Sequence, residues 1–128
     1  MRELNINEIV KHYLYAALWT AELDSKYDTD DFGFGEQYYA AVRDIGDFLN
    51  KAVRYLAPYE KHFGDKTESQ LGHDFWLSRN GHGSGFFDLA LDTGDRKLKS
   101  IGDSLQEIAR EFVEKNVFES EVGNLFIE

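Results

Sequence analysis

The spacing of apolar residues predicts two helices in the first half of the chain. The first should begin after a cap at Asn5 or Asn7 and continue to about Leu23. The second, a longer one, should run from about Glu36 to Phe63, with tyrosine, valine, isoleucine and leucine on one face. Pro58 falls inside it and is expected to kink the helix or end it early, because proline lacks a backbone donor.

A third helix is predicted over residues 68–80. Thr67 is placed as its N-cap, and Asn80-Gly81 is a common C-terminal signal. A β-hairpin is the alternative for this region, with 75–80 and 85–89 paired around a glycine turn. The helix is the preferred interpretation.

The last third of the chain predicts a fourth helix, from about Asp95 to Glu114, followed by a hairpin. The hairpin strands are 117–120 and 125–127, and the turn between them contains a glycine. An isolated hairpin is marginally stable, so it should pack on the helices. We expect one mainly α (α+β) domain over residues 1–128, with about four helices, a small C-terminal hairpin and a further strand near Phe86.

Composition and charge limit which classes of function are expected for this chain. The chain has 128 residues, no cysteine, and a formal net charge of −10. Such an excess of acids opposes direct nucleic-acid binding and indicates either simple solubility or docking on a basic surface. The absence of cysteine excludes disulfides and thiolate metal sites. Without a signal-like leader or an apolar run of membrane-spanning length, no membrane association and a cytoplasmic location are expected.

An acidic loop follows the first helix. Its candidate partner-binding residues are Asp24, Asp28, Asp30, Asp31 and Glu36. The spacing does not fit a calcium-binding EF-hand, because the required glycine and closing glutamate are out of place. A solvated acidic surface is therefore the favoured interpretation of this loop.

The stretch from Gly72 to Asp88 combines histidines, aromatic residues and glycines in a pattern that neither a plain helix nor a plain strand requires. Its candidate ligand-binding residues are His73, Asp74, Trp76, Arg79, Asn80, His82 and Phe86. A guanidinium can pair with an anion, a carboxamide can bind an amide or base edge, and aromatic rings can stack. The equally favoured alternative is a buried, fully hydrogen-bonded polar network that holds the loop in place.

Other chemistries fit the same stretch less well. His73 and His82, with Asp74, Asp88 and Asn80, could bind zinc, but no recognised metal-site spacing is present, so neither metal nor cofactor is expected. A hydrolase with a histidine as general base is a second alternative. It lacks a nucleophile-elbow serine, so an enzyme ranks third.

The stretch reads GHDFWLSRNGHGSGFFD and resembles a family of small, uncharacterised phage and prophage proteins, whose motif is roughly GHDFWLTRNGHGAGFWD. Ser78, Ser84 and Phe87 are the departures. The likeness extends to the Tyr13–Trp19 segment and to Gly102-Asp103-Ser104-Leu105. It implies a phage-borne accessory protein acting in the cytoplasm of a bacterial host, and it implies no particular chemistry.

Two binding functions follow from these features. In the first, an acidic surface formed by Asp24–Glu36 and the helix near Glu107–Glu121 blocks the basic face of a host protein, such as a defence or nucleic-acid-binding protein. In the second, the Gly72–Asp88 stretch captures a small anionic ligand such as a nucleotide. The first is preferred, because the charge excess belongs to the whole chain.

Overall fold

The computed structural model describes residues 2–22, 27–32, 35–81, 84–89 and 94–128. The α-helices of this described part are α1 Ile6–Thr20, α2 Glu36–Lys51, α3 Val53–Phe63, α4 Thr67–Arg79 and α5 Arg96–Arg110. Strands β1 Val117–Glu119 and β2 Leu125–Ile127 form an antiparallel hairpin. Short 3₁₀ turns occur at Thr29–Phe32, Gly64–Lys66 and Phe86–Asp88. The predicted mainly α fold with a C-terminal hairpin is therefore confirmed.

The predicted second helix is divided in two. It stops at Lys51 and restarts at Val53, and Ala52 between them is buried, with φ −94° and ψ 4°. Pro58, expected to kink or end the helix, lies inside α3, so the interruption comes six residues earlier than the proline. The single long helix was thus wrong.

Helix α4 is the central element of the core. Ten of its thirteen residues are buried, and it packs against α1 more extensively than any other described pair of elements. A Cβ added at Gly72 would lie 2.3 Å from the Ile9 carbonyl oxygen, so glycine permits this close approach. Tyr13 of α1 packs on Phe75 and Trp76, with ring centroids 5.7 and 5.2 Å apart. The helix preferred for this region is confirmed.

The segment after α4 differs from the prediction of a strand near Phe86. Residues Phe86–Asp88 form a 3₁₀ turn that packs against α5. The Phe86 N–H donates to Ser78 Oγ at 3.0 Å, and a Cβ on Gly102 would lie 2.4 Å from the Phe86 carbonyl oxygen. Because this backbone is held between two helices, it has no room to pair as a strand.

The helix starts are largely as expected. The Asn5 side chain accepts from the Glu8 N–H at 3.2 Å, and Asp95 accepts from the N–H groups of Lys97 and Leu98. Thr67, predicted as a cap, is instead the first residue of α4, because the preceding 3₁₀ turn leads directly into the helix. Its hydroxyl donates to the Gly64 carbonyl.

The hairpin packs on the helices through β2. Val117 pairs with Ile127, and the Ile127 N–H donates to Gln37 Oε1 of α2 at 2.7 Å. Leu125 is buried in the same apolar cluster as side chains from all five helices. Within the described part of the chain, no helix is both long enough and apolar enough to span a membrane.

Candidate functional site

The Arg79 side chain lies in the interior, only 1% exposed. Its Nη1 donates to Asp44 Oδ2 at 2.8 Å and to the Tyr13 hydroxyl at 3.0 Å. Nε and Nη2 both donate to the Val113 carbonyl, at 3.1 and 2.9 Å. Burial raises the pKa of Tyr13 to about 12, so its hydroxyl stays protonated beside the guanidinium. In this arrangement Arg79 joins α1, α2, α4 and the segment after α5, and an external anion does not reach it.

Three more of the predicted ligand-binding residues also make internal contacts. Asn80 Nδ2 donates to the Trp76 carbonyl at 2.9 Å, and Asn80 Oδ1 accepts from the Lys115 N–H at 2.7 Å. The Trp76 indole donates to Thr20 Oγ1 at 2.8 Å, and Phe86 is fully buried. These residues belong to the buried network and the core, which was the alternative interpretation of the stretch.

A groove remains open beside the other predicted residues. It has a volume of about 270 Å³ and lies between the end of α3, one face of α4 and the 84–89 segment. Its lining residues are His62, Phe63, Gln70, His73, Asp74, Leu77, Ser84, Gly85, Asp88 and Leu89. The structure therefore brings His73 and Asp74 together with Asp88 and separates them from Arg79. His82 lies outside the described residues.

Glycine at position 85 lets the 84–89 segment close the groove. Gly85 has φ +121°, and a Cβ there would lie 2.3 Å from Ser78 Oγ. Its N–H donates to Asp88 Oδ2 at 3.2 Å, which holds the Asp88 carboxylate at the start of the turn. A side chain at position 85 would push the segment away from α4.

Asp74 is the most perturbed carboxylate in the groove. It accepts hydrogen bonds from the Tyr59 hydroxyl and from Gln70 Nε2, both at 3.0 Å. Burial raises its pKa to about 7, the two hydrogen bonds oppose the rise, and the nearby Asp88 adds to it. Asp74 therefore changes its protonation state near neutral pH.

His73 connects the groove to a more exposed aromatic surface. Its ring centroid lies 6.0 Å from that of Trp19, which is 68% exposed on α1. Burial lowers the pKa of His73, and the neighbouring His12 lowers it further. A neutral imidazole is the dominant form of His73 at neutral pH.

The acidic loop is anchored by Tyr27 and Phe32, which are both buried. Asp28 accepts from the Asp30 N–H, and Asp31 accepts from the Asp28 N–H, so two of the carboxylates shape the loop. Asp30 is exposed. Asp24, also predicted to bind a partner, lies outside the described residues.

The hairpin lies beside this loop. Strand β2 contacts the Thr29–Phe32 turn and donates a hydrogen bond to the first turn of α2. Residues 27–37 and 116–128 contain no lysine, arginine or histidine. They carry seven carboxylates, which we call the acidic face: Asp28, Asp30, Asp31, Glu36, Glu119, Glu121 and Glu128.

Two further features adjoin the acidic face. A groove of about 490 Å³ lies between α1, the Thr29–Phe32 turn and α2, with Asp30, Glu8, Tyr38 and Tyr39 among its lining residues. Phe118 and Val122 of the hairpin are 43% and 82% exposed. Carboxylates and exposed apolar groups thus occur together on this side of the molecule.

Sequence reasoning missed several residues of these two regions. Gln70, His73, Asp74 and Leu77 have the spacing of one helix face, which could have separated Asp74 from Arg79. Nothing in the sequence associates His62 with them. The expected acidic surface included the helix near Glu107–Glu121, whereas the structure places the predicted hairpin beside the loop, with Glu119 on β1 and Glu121 in the hairpin turn.

Comparisons with protein-family models, with curated proteins and with solved structures find no match to this chain. Among the described residues, no group of three or more histidine, aspartate or glutamate side chains is placed to hold a metal ion.

Proposed function

We propose that this protein is a phage-borne accessory protein that binds a basic surface of a host protein through its acidic face. The observation that supports this is that two sequence-distant acidic segments, 27–32 with 35–37 and 116–128, lie beside each other in the described part of the chain. Their carboxylates have no ion pair among the described residues. They are available to attract positive charge.

The surroundings of the acidic face suit a protein partner better than a simple counterion. Interfaces combine exposed apolar and aromatic groups with a charged rim. Phe118, Val122 and the 68% exposed Tyr39 supply the apolar groups here. In the 490 Å³ groove, Asp30 and Glu8 lie near two tyrosine rings, and a cation over an aromatic face is attracted. Lys11 also lines this groove and offsets part of that attraction.

The proposal is tested with two variants that remove equal charge. The face variant carries Asp30→Asn, Glu36→Gln, Glu119→Gln and Glu121→Gln, none of which has a side-chain bond among the described residues. The control variant carries Glu3→Gln, Asp47→Asn, Asp65→Asn and Asp103→Asn, which lie outside the two segments of the acidic face. Each loses four negative charges, so a difference between the two reflects position rather than net charge.

Both variants and the parent are used to capture partners from a bacterial host lysate, and association rates with a captured basic protein are measured over a salt series. We expect the control to bind like the parent. The face variant should associate about tenfold more slowly at low salt, because exposed charges steer encounter. Equal association by the face variant and the control, or rates insensitive to salt, would contradict the proposal.

A further inference from the structure

The groove beside Asp74 is lined by hydrogen-bond acceptors and apolar walls. Asp74, Asp88, His73, His62 and Ser84 contribute carboxylate, imidazole and hydroxyl groups. Among the ten lining residues that the structure describes, none is a lysine or arginine. The complementary ligand is one that brings several N–H donors and a positive charge.

We propose that this groove binds a small organic cation with a primary ammonium or guanidinium group on a short alkyl chain. This groove shares no residue with the acidic face, so each of the two proposals can be refuted without affecting the other.

Asp74 is the main recognition group. It is 5% exposed, and each of its two oxygens accepts one internal hydrogen bond, from Tyr59 or from Gln70. A carboxylate has about four lone-pair sites, so both oxygens can accept again. Because the internal bonds fix the carboxylate, a bound cation meets a preorganised partner and little side-chain entropy is lost.

The other walls select against competing ligands. Asp88, held in place by the Gly85 N–H, brings a second negative charge to the rim and repels anions. Phe63, Leu77 and Leu89 supply apolar surface for an alkyl chain. Ligand pockets typically have volumes of about 300–1,000 Å³. The volume of this groove, about 270 Å³, is smaller and suits a molecule the size of one side chain.

Binding should depend on pH. A cation binds the charged form of Asp74, and the titratable groups around this carboxylate are Tyr59 and His62 from α3, His73 from α4, and Asp88. Burial keeps Asp74 half protonated near pH 7, so affinity should rise about tenfold from pH 6 to pH 8. Burial and the neighbouring His12 lower the pKa of His73, and protonation of this imidazole in more acidic solution repels a cation, which acts in the same direction.

The test is an NMR titration of the full-length protein with agmatine and with n-butylamine. We expect saturable shifts of backbone amides in residues 70–77 and 84–89. n-Butanol has the same chain without the charge, and tetramethylammonium has the charge without donors, so both should shift these signals much less. Equal shifts from either control compound, or no saturable shift with either amine, would overturn the proposal.

Variants locate the binding to the groove. Asp74→Asn and Asp88→Asn keep the shape and an acceptor oxygen but remove the charge, and each should weaken agmatine binding at least tenfold. Asp103→Asn removes the same charge from the exposed face of α5 and should bind like the parent. Unchanged affinity in both groove variants would also overturn the proposal.

A second arm identifies the source of the cation. N-acetyl-arginine amide carries the same guanidinium on a peptide backbone. Binding of this compound as tightly as agmatine supports an arginine side chain of a protein as the ligand. Binding of agmatine alone supports a free amine. If neither compound nor n-butylamine binds, the cation site is refuted.

Discussion

Replacing Arg79 by methionine tests whether this residue holds the interior together. The substitution removes the charge that pairs with Asp44 and the donors that satisfy the Val113 carbonyl and the Tyr13 hydroxyl. It also removes a guanidinium lying 5.4 and 5.5 Å from two phenylalanine ring centres. Removing one partner of a buried ion pair typically lowers the free energy of unfolding by about 3–5 kcal/mol.

The 21% exposure of the Asp44 side chain reduces that figure, because water can solvate the carboxylate left behind. We therefore expect Arg79→Met to lower the free energy of unfolding by about 3 kcal/mol, or roughly 10 °C in Tm for a domain of this size. Arg79→Lys keeps the charge but lacks the planar five-donor fork that reaches Asp44, Tyr13 and the Val113 carbonyl together, and should lose about 2 kcal/mol.

The assay is urea unfolding followed by circular dichroism for Arg79→Met, Asp44→Asn and the double variant. The double variant should be less destabilised than the sum of the single ones, because the two residues are in direct contact. An Arg79→Met protein within about 1 kcal/mol of the parent would refute the structural role and return Arg79 to the candidate ligand-binding residues.

Two further substitutions test the groove and the helix contact. Because the pKa of Asp74 is raised, the folded parent binds a proton at this carboxyl more tightly than the unfolded chain does. The contribution of this proton to the free energy of unfolding is therefore fully present below about pH 4 and is lost as the pH rises to about 7. At pH 8, Asp74→Asn should have a free energy of unfolding higher than that of the parent, by on the order of 2 kcal/mol, and this free energy should depend less on pH between pH 4 and 7. Denaturant unfolding at pH 5 and pH 8 measures both effects. A variant less stable than the parent at pH 8 would contradict the prediction. Gly72→Ala should lower the free energy of unfolding by about 1–3 kcal/mol, because its Cβ would lie 2.3 Å from the Ile9 carbonyl oxygen. Gly46→Ala places its Cβ in open space, with nothing within 4 Å, and should raise Tm. Equal melting temperatures for both variants would show that α1 and α4 can separate freely.

The elements that sequence predicted well depend on local patterns. The apolar stripes of α1 and α5, the Asn80-Gly81 end of α4, the cap at Asn5 and the glycine turn of the hairpin act over a few residues, and they appear where expected. The interruption at Ala52 and the 3₁₀ turn at Phe86 depend on what packs against them. Tertiary contacts of this kind leave no pattern in the local spacing of apolar residues, so the sequence could not predict them.

The candidate site shows the same division. Arg79 and Asn80 have the chemistry of ligand-binding residues, and only their depth and their partners, Asp44 and Lys115, give them a structural role. Those partners are 35 residues away in the chain. The adjacency of the hairpin and the acidic loop likewise comes from the fold, although each was recognisably acidic in the sequence.

The packing of α1 on α4 also affects how this chain is made in the cell. Tyr13 and Arg79, which touch in the folded protein, are 66 residues apart in the sequence. At about 5–20 residues per second, a ribosome needs about 3–13 s to add the intervening chain. Throughout that interval the apolar face of α1 has no α4 to cover it, and loop closure around α2 and α3 must follow. Newly made α1 is therefore the part of the nascent chain most exposed to aggregation and to chaperone binding.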